Sequence, residues 1–138
     1  MRGANEQITI WNRYKDAAKH DVWVHHIVDR CSWESDIMRR VEGGSAVYAS
    51  GYDVQIAEND AYKPRAEWLA LDPVAKSIYF TIGVGDVVAR GGHGKEIGDG
   101  VTMTELKLLL APDIFTVSAF FDGSAGYKRG RHYELMGV

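Results

Sequence analysis

The sequence predicts a mainly β fold: a small antiparallel β-barrel with long loops and one short α-helix. Two observations carry this. Apolar and polar residues alternate in short bursts rich in β-branched and aromatic side chains, and Gly, Asp and Asn separate the bursts, as expected of about six to eight half-buried strands. A helix start signal followed by apolar residues at helical spacing occurs once, at Thr102.

Taken in order, Gln7 to Tyr14 opens the chain as a strand with Ile8, Ile10 and Asn12 on one face. Lys15 to Asp21 is a polar connection. Val22 to Cys31 forms a second strand, which Ser32 to Ile37 extends or follows with a third. Its alternate sets, Val22, Val24, His26, Val28, Arg30 and Trp23, His25, Ile27, Asp29, Cys31, are so nearly equal in polarity that periodicity selects no buried face. Met38 to Ser45 reads as a solvated excursion, a hairpin arm or loop, because Gly43 and Gly44 permit positive φ and leave little to pack. Ala46 to Ala57 resumes the strand pattern, with Tyr52, Val54 and Ile56 on one face, Asp53 and Gln55 on the other, and a bulge at Gly51.

Glu58 to Pro73 lacks alternation and reads as a long loop with one helical turn around Arg65 to Leu69. Ser77 to Ile82 has strand character, Gly83 to Asp86 turns into a strand at Val87 to Arg90, and Gly91 to Gly94 makes another loose turn. At Thr102-Met103-Thr104-Glu105 a capping box opens the helix, which Leu106, Leu109 and Leu110 continue until Pro112. Ile114 to Phe121 and Arg131 to Met136 are the last strands, joined by the glycine-rich stretch Asp122 to Gly130.

The 138 residues, 46% hydrophobic, suffice for one domain that buries roughly 68% of its unfolded surface without disulfides or structural metal. A formal charge of -3 lacks the basic footprint of a dedicated nucleic-acid binder. Cys31 has no internal disulfide partner, and Arg2, Asn5, Glu6 and Gln7 stand where a signal peptide needs an apolar stretch. No apolar run approaches the ~18 residues of a membrane span. These features lead one to expect a soluble protein of the cytosol, with no membrane partner.

Catalytic chemistry is not legible. His25 and His26, adjacent on a strand, point to opposite faces and cannot chelate one ion together, and no HxH, HxxxH or CxxC spacing occurs. Cys31 sits in no activation motif and reads as a small buried residue. Gly91-Gly92-His93-Gly94-Lys95 differs from a phosphate loop because Glu96 follows the lysine and the helix begins only at Thr102, so it reads as a hairpin tip. Glu58, Asp60 and Asp72 read as loop solvation. No enzyme, metal or cofactor is expected. What stands out is four Trp, seven Tyr and four Phe beside long glycine-edged loops, a supply of aromatic anchors suited to an assembly part. A basic-aromatic cluster, Lys128, Arg129 and Arg131 with Tyr127 and Tyr133, could meet phosphate or an acidic protein surface.

The opening Gln7 to Tyr14, the Cys31-Ser32-Trp33-Glu34 step, the Trp68 loop, Gly85 to Gly91, Ile97 to Thr102 ahead of a Leu-rich helix and the closing His132 to Gly137 resemble a family of prophage proteins encoded among head-to-tail morphogenesis genes. The chain departs from that family at Gly123 to Gly130, where a basic cluster replaces an aspartate-rich turn. The resemblance implies a head-closure, or stopper, component of the virion neck, copies of which form a ring, of six by analogy, between a portal-adaptor protein and a tail terminator or tail-completion protein. Packaged DNA would occupy the lumen without sequence-specific contact. Alternatives are a tail-completion or terminator protein of the same neck, and a small ligand-binding β-barrel or enzyme. On the head-closure reading, Tyr48, Tyr52, Tyr62 and Trp68, with Lys128, Arg129 and Arg131, are expected at interfaces. The near-neutral stretch around Gly92, His93, Gly94, Lys95 and Glu96 is expected to gate the DNA, in preference to Arg39 to Ser45, whose arginines would grip phosphates.

Overall fold

The computed structural model describes residues 5–42, 45–98, 100–123 and 132–137, with the side chains of all of these except 36–50. Six strands, β1 (Glu6–Lys15), β2 (Asp21–Glu42), β3 (Ser45–Ala57), β4 (Val87–Arg90), β5 (Ile114–Asp122) and β6 (His132–Gly137), pair antiparallel in the order β1-β2-β3-β6-β5-β4. Because β1 also pairs with β4, the sheet closes into a barrel and the mainly β expectation holds. Among the described residues three helices decorate it: α1 (Arg65–Leu69), α2 (Pro73–Ile78) and α3 (Met103–Leu110).

Alternation divides the apolar residues between two cores. Ile8, Ile10, Val54, Ile56, Val88, Val117 and Leu135 point into the barrel, where Phe80 and Ile82 join them from the segment between β3 and β4. Their neighbours in sequence, Trp11, Val87, Ala89 and Ile114, point outward and are covered by Leu106 of α3 with Ile97, Val101 and Met103. The strands around β1 and β4 are therefore buried on both sides, which is why their sequences read as nearly continuous apolar runs.

The undecided face of β2 has a physical answer. Val28 pairs with Ile8, but Cys31 pairs with Glu6, so one extra residue sits in β2. Arg30 absorbs it with φ of 60°. Such a bulge reverses the pleat. Val28 faces inward before it, and Cys31 and Trp33 face inward after it, so neither alternate set is the buried one throughout.

Two expectations are corrected. Ser77 to Ile82 is not a strand, and there is more than one helix. Asp72 accepts a hydrogen bond from the Ala75 amide at 2.8 Å and Pro73 occupies the first helical turn, so a start signal overrides the β-branched run and α2 continues to Ile78. The chain then makes an isolated bridge from Phe80 to Tyr62 and drops Phe80 and Ile82 into the barrel as a plug. The Thr102 cap is present, with its hydroxyl accepting from the Glu105 amide at 3.1 Å. Of the three leucines at helical spacing, however, Leu106 alone is buried, and Leu109 is 61% exposed.

Candidate functional site

The most conspicuous surface feature grows from the unequal lengths of neighbouring strands. β1 stops pairing with β2 at Glu6–Cys31, and β6 stops pairing with β3 at Gly137–Tyr52. The β2–β3 ladder continues from Asp36–Gly51 to Glu42–Ser45, seven further pairs with no third strand among the described residues. At about 3.3 Å per residue this two-stranded arm reaches roughly 23 Å beyond the barrel. It fulfils the hairpin expectation for Met38 to Ser45, although Gly43 and Gly44 at its tip lie outside the described residues.

The outer wall at the base of the arm is acidic. Glu34 of β2 pairs directly with Asp53 of β3, and Glu134 with His132 follows on β6, the His132 Nε2 lying 3.8 Å from Glu134 Oε2. Burial, with the like charges of Glu134 and Glu34, holds the Asp53 carboxyl above its ordinary pKa. Exposed Phe121 and Met136 border this strip.

At the barrel's other end a buried polar cluster ties the plug to β1. The fully buried Asp86 carboxylate accepts from Asn12 Nδ2 at 2.8 Å, Arg65 NH1 at 2.9 Å and the Arg13 amide at 3.1 Å. Asn12 also donates to the Thr81 carbonyl and accepts from its amide. Burial raises the Asp86 pKa although Arg65, Asn12 and Arg13 oppose the rise. Beside this cluster, buried Lys76 lies over Tyr14 at 4.8 Å and Trp68 at 5.6 Å and donates to the carbonyls of Leu69 and Leu71. The sequence reading placed Asn12 on one face with Ile8 and Ile10 but missed its partners, because nothing local joins residue 12 to residues 65 and 86.

Several expected interface residues are internal. Trp68 is 0% exposed, meets Tyr14 edge-on at 5.9 Å and donates through Nε1 to the Tyr79 carbonyl at 2.7 Å. Its expected role at an interface is corrected: the plug folds over it and leaves a partner nothing to touch. Tyr52 stacks on Phe115 at 4.9 Å and donates to the Pro112 carbonyl. Tyr62 packs on Tyr133 at 4.2 Å, and burial pushes its phenol to about 12. Both are only partly buried, but their rings pack against the chain's own core. The side chain of Tyr48 and the whole of Lys128, Arg129 and Arg131 lie outside the described residues.

The stretch Gly92 to Glu96 is corrected as well, from a loose tip to a fastened strap along the outside of β1. Thr9 Oγ1 donates to the Gly91 carbonyl and accepts from the His93 amide, each at 2.8 Å. Trp11 Nε1 donates to the Lys95 carbonyl at 3.0 Å, and Gly92 lies against Ile27. The polar side chain of Thr9 and the indole N–H of Trp11, both outward-facing on an apolar strand, are the sequence signal that something covers them.

Among the described residues no three His, Cys, Asp or Glu side chains are arranged to hold a metal ion. An open surface depression of about 690 Å³ between Glu6, Asp29, Arg90 and Asp113 is crossed by the Arg90–Glu6 ion pair at 2.6 Å. No described helix is long and apolar enough to cross a membrane.

A closed six-stranded antiparallel barrel, plugged from within, strapped outside and extended by a two-stranded arm, is the class of protein these features define. The chain belongs to a family of unknown function (DUF6751), whose profile matches residues 3–138. No curated protein and no solved structure matches the chain.

Proposed function

We propose that this chain is a structural virion protein of a tailed phage or prophage, a head-closure component whose copies form a ring, of six by analogy, in the neck between portal adaptor and tail and retain packaged DNA. The observation that carries the reading is the arm. A two-stranded ribbon is marginally stable alone in water and leaves its edges open, so seven pairs with no third strand among the described residues are matched to a neighbouring surface rather than to solvent. Contact between an arm and a different surface of the next copy is heterologous, the kind that builds closed rings. A barrel filled by its own side chains supports a scaffold role over ligand binding. The strap at Gly92 to Glu96 would have to leave Thr9 and Trp11 to reach a lumen, so a DNA gate at that segment requires those hydrogen bonds to break.

Labelling the chain in intact particles tests the reading. A label at the head–tail junction, together with filled capsids that lose DNA when the gene is deleted, is the expected result. A label on the far side of the tail tube would make it a terminator, and particles that lack the chain altogether would refute a virion role.

A further inference from the structure

The plug is a segment outside the six barrel strands that is packed into their interior. The chain from Tyr62 to Ile82 lies between β3 and β4, is bridged to itself from Tyr62 to Phe80, and places Phe80 and Ile82 in the barrel interior. Among the attachments that hold it are the Asp86–Arg65–Asn12 cluster at its root, the Lys76–Trp68–Tyr14 stack, the packing of Tyr62 on Tyr133, and His26. His26 belongs to the barrel strand β2 and points inward, 9% exposed, with its ring 6.3 Å from that of Phe80. The Lys76 backbone of α2 favours the charged imidazole, against the burial that disfavours it. Its Nε2 has no hydrogen-bond partner among the described residues.

We infer that His26 is an acid-sensitive latch: protonating its imidazole opens the plug while the six-stranded barrel stays closed. An imidazolium has two N–H donors, and at this position one of them faces the apolar interior, where an unpaired charge is costly. At His26, β2 pairs with β1 alone, because its ladder with β3 begins only at Cys31, and α2 packs against β2; releasing α2 and Phe80 lets water reach that nitrogen. The residue opposite His26 on β1 is Ile10, which bears no charge. Phe80 supplies none from the plug, His25 on the same strand adds positive charge when protonated, and from α2 the Lys76 backbone favours the imidazolium by less than burial disfavours it. No carboxylate among these neighbours offsets the imidazolium.

The direction of the pH dependence follows. Burial is the main cause that lowers the imidazole pKa from 6.5 to about 4 in the closed state. The closed form therefore binds fewer protons than the open form; its advantage is complete above pH 6.5 and is lost as pH falls towards 4. A shift of this size moves the closed-to-open ratio by up to about 300-fold across that interval. Asp86 is the other titrating group at the plug's root, and its protonation would also loosen Arg65. A substitution at His26 separates the two.

Hydrogen exchange of the full chain, measured from pH 7.5 to 4.5 and corrected for the intrinsic exchange rate, is the test. Amides of residues 62–82 are expected to lose protection at least tenfold more than those of Ile8 to Trp11, and His26→Phe is expected to abolish the difference. Should His26→Phe misfold, His26→Gln, which carries no titrating ring, gives the same comparison. Loss of protection in β1 and the plug together would overturn the latch, because the barrel would then be opening too. An unchanged acid response in both His26 variants would overturn it by placing the trigger at Asp86.

Discussion

Replacing Trp68 with Ala discriminates between a residue that faces a partner and one that holds the protomer together. The indole is wholly buried beneath α2, makes an edge contact with Tyr14 and carries one face of the Lys76 cation. Truncating a buried aromatic side chain of this size costs about 3–5 kcal/mol, which includes the cavity it leaves. The Tyr79 carbonyl also loses its donor, so the upper half of that range applies. Against a total stability of roughly 7–20 kcal/mol for a chain of this length, such a loss is large but survivable. With an unfolding entropy of about 2.1 cal/mol/K per residue, 4 kcal/mol lowers the melting temperature by about 14 °C. Urea unfolding followed by far-ultraviolet circular dichroism measures the loss directly, with Leu108→Ala, 77% exposed on α3, as a control expected to stay within about 0.5 kcal/mol. At temperatures where the variant remains folded, self-association is expected to match that of the parent chain. A stability loss under 1 kcal/mol accompanied by weakened association would refute the reasoning and return Trp68 to an interface.

Gly137→Ala should destabilise by about 3 kcal/mol, because an added Cβ would stand 2.1 Å from the Thr116 carbonyl oxygen and 2.3 Å from Phe115 Cδ2; a fully stable variant in the same urea assay would show that β5 can retreat. The Cys31 thiol, which burial pushes up to about 12, should resist a thiol reagent at pH 8 in the native chain and react at once in urea; rapid native labelling would mean that the bulge at Arg30 opens readily. Thr102→Ala should cost about 1 kcal/mol and Thr102→Ser much less, since the hydroxyl that accepts from the Glu105 amide is the only group at issue; equal losses in urea titration would point to the methyl group instead.

What the sequence determines by itself is whatever neighbouring residues decide among themselves. Alternation at Ile8, Ile10 and Asn12, the hairpin arm around Met38 to Ser45, the helical turn at Arg65 to Leu69 and the cap at Thr102 are all written within a few residues and stand in the fold. The same local rules misled at Ser77 to Ile82, where Asp72 and Pro73 outside the β-branched run had already started a helix. Tertiary structure alone decided the rest. A bulge at Arg30 makes both faces of β2 inward in turn, which no fixed period can display. Burial on both sides of β1 and β4 depends on α3 and the strap arriving from residues 91–110. Whether Trp68 meets a partner or the protein's own plug, and whether His26 meets water or Phe80, depends on segments about 50 residues apart closing over one end of a barrel. Side-chain chemistry is local, but exposure is a property of the assembled surface, and residue types alone therefore could not assign these positions to core or interface.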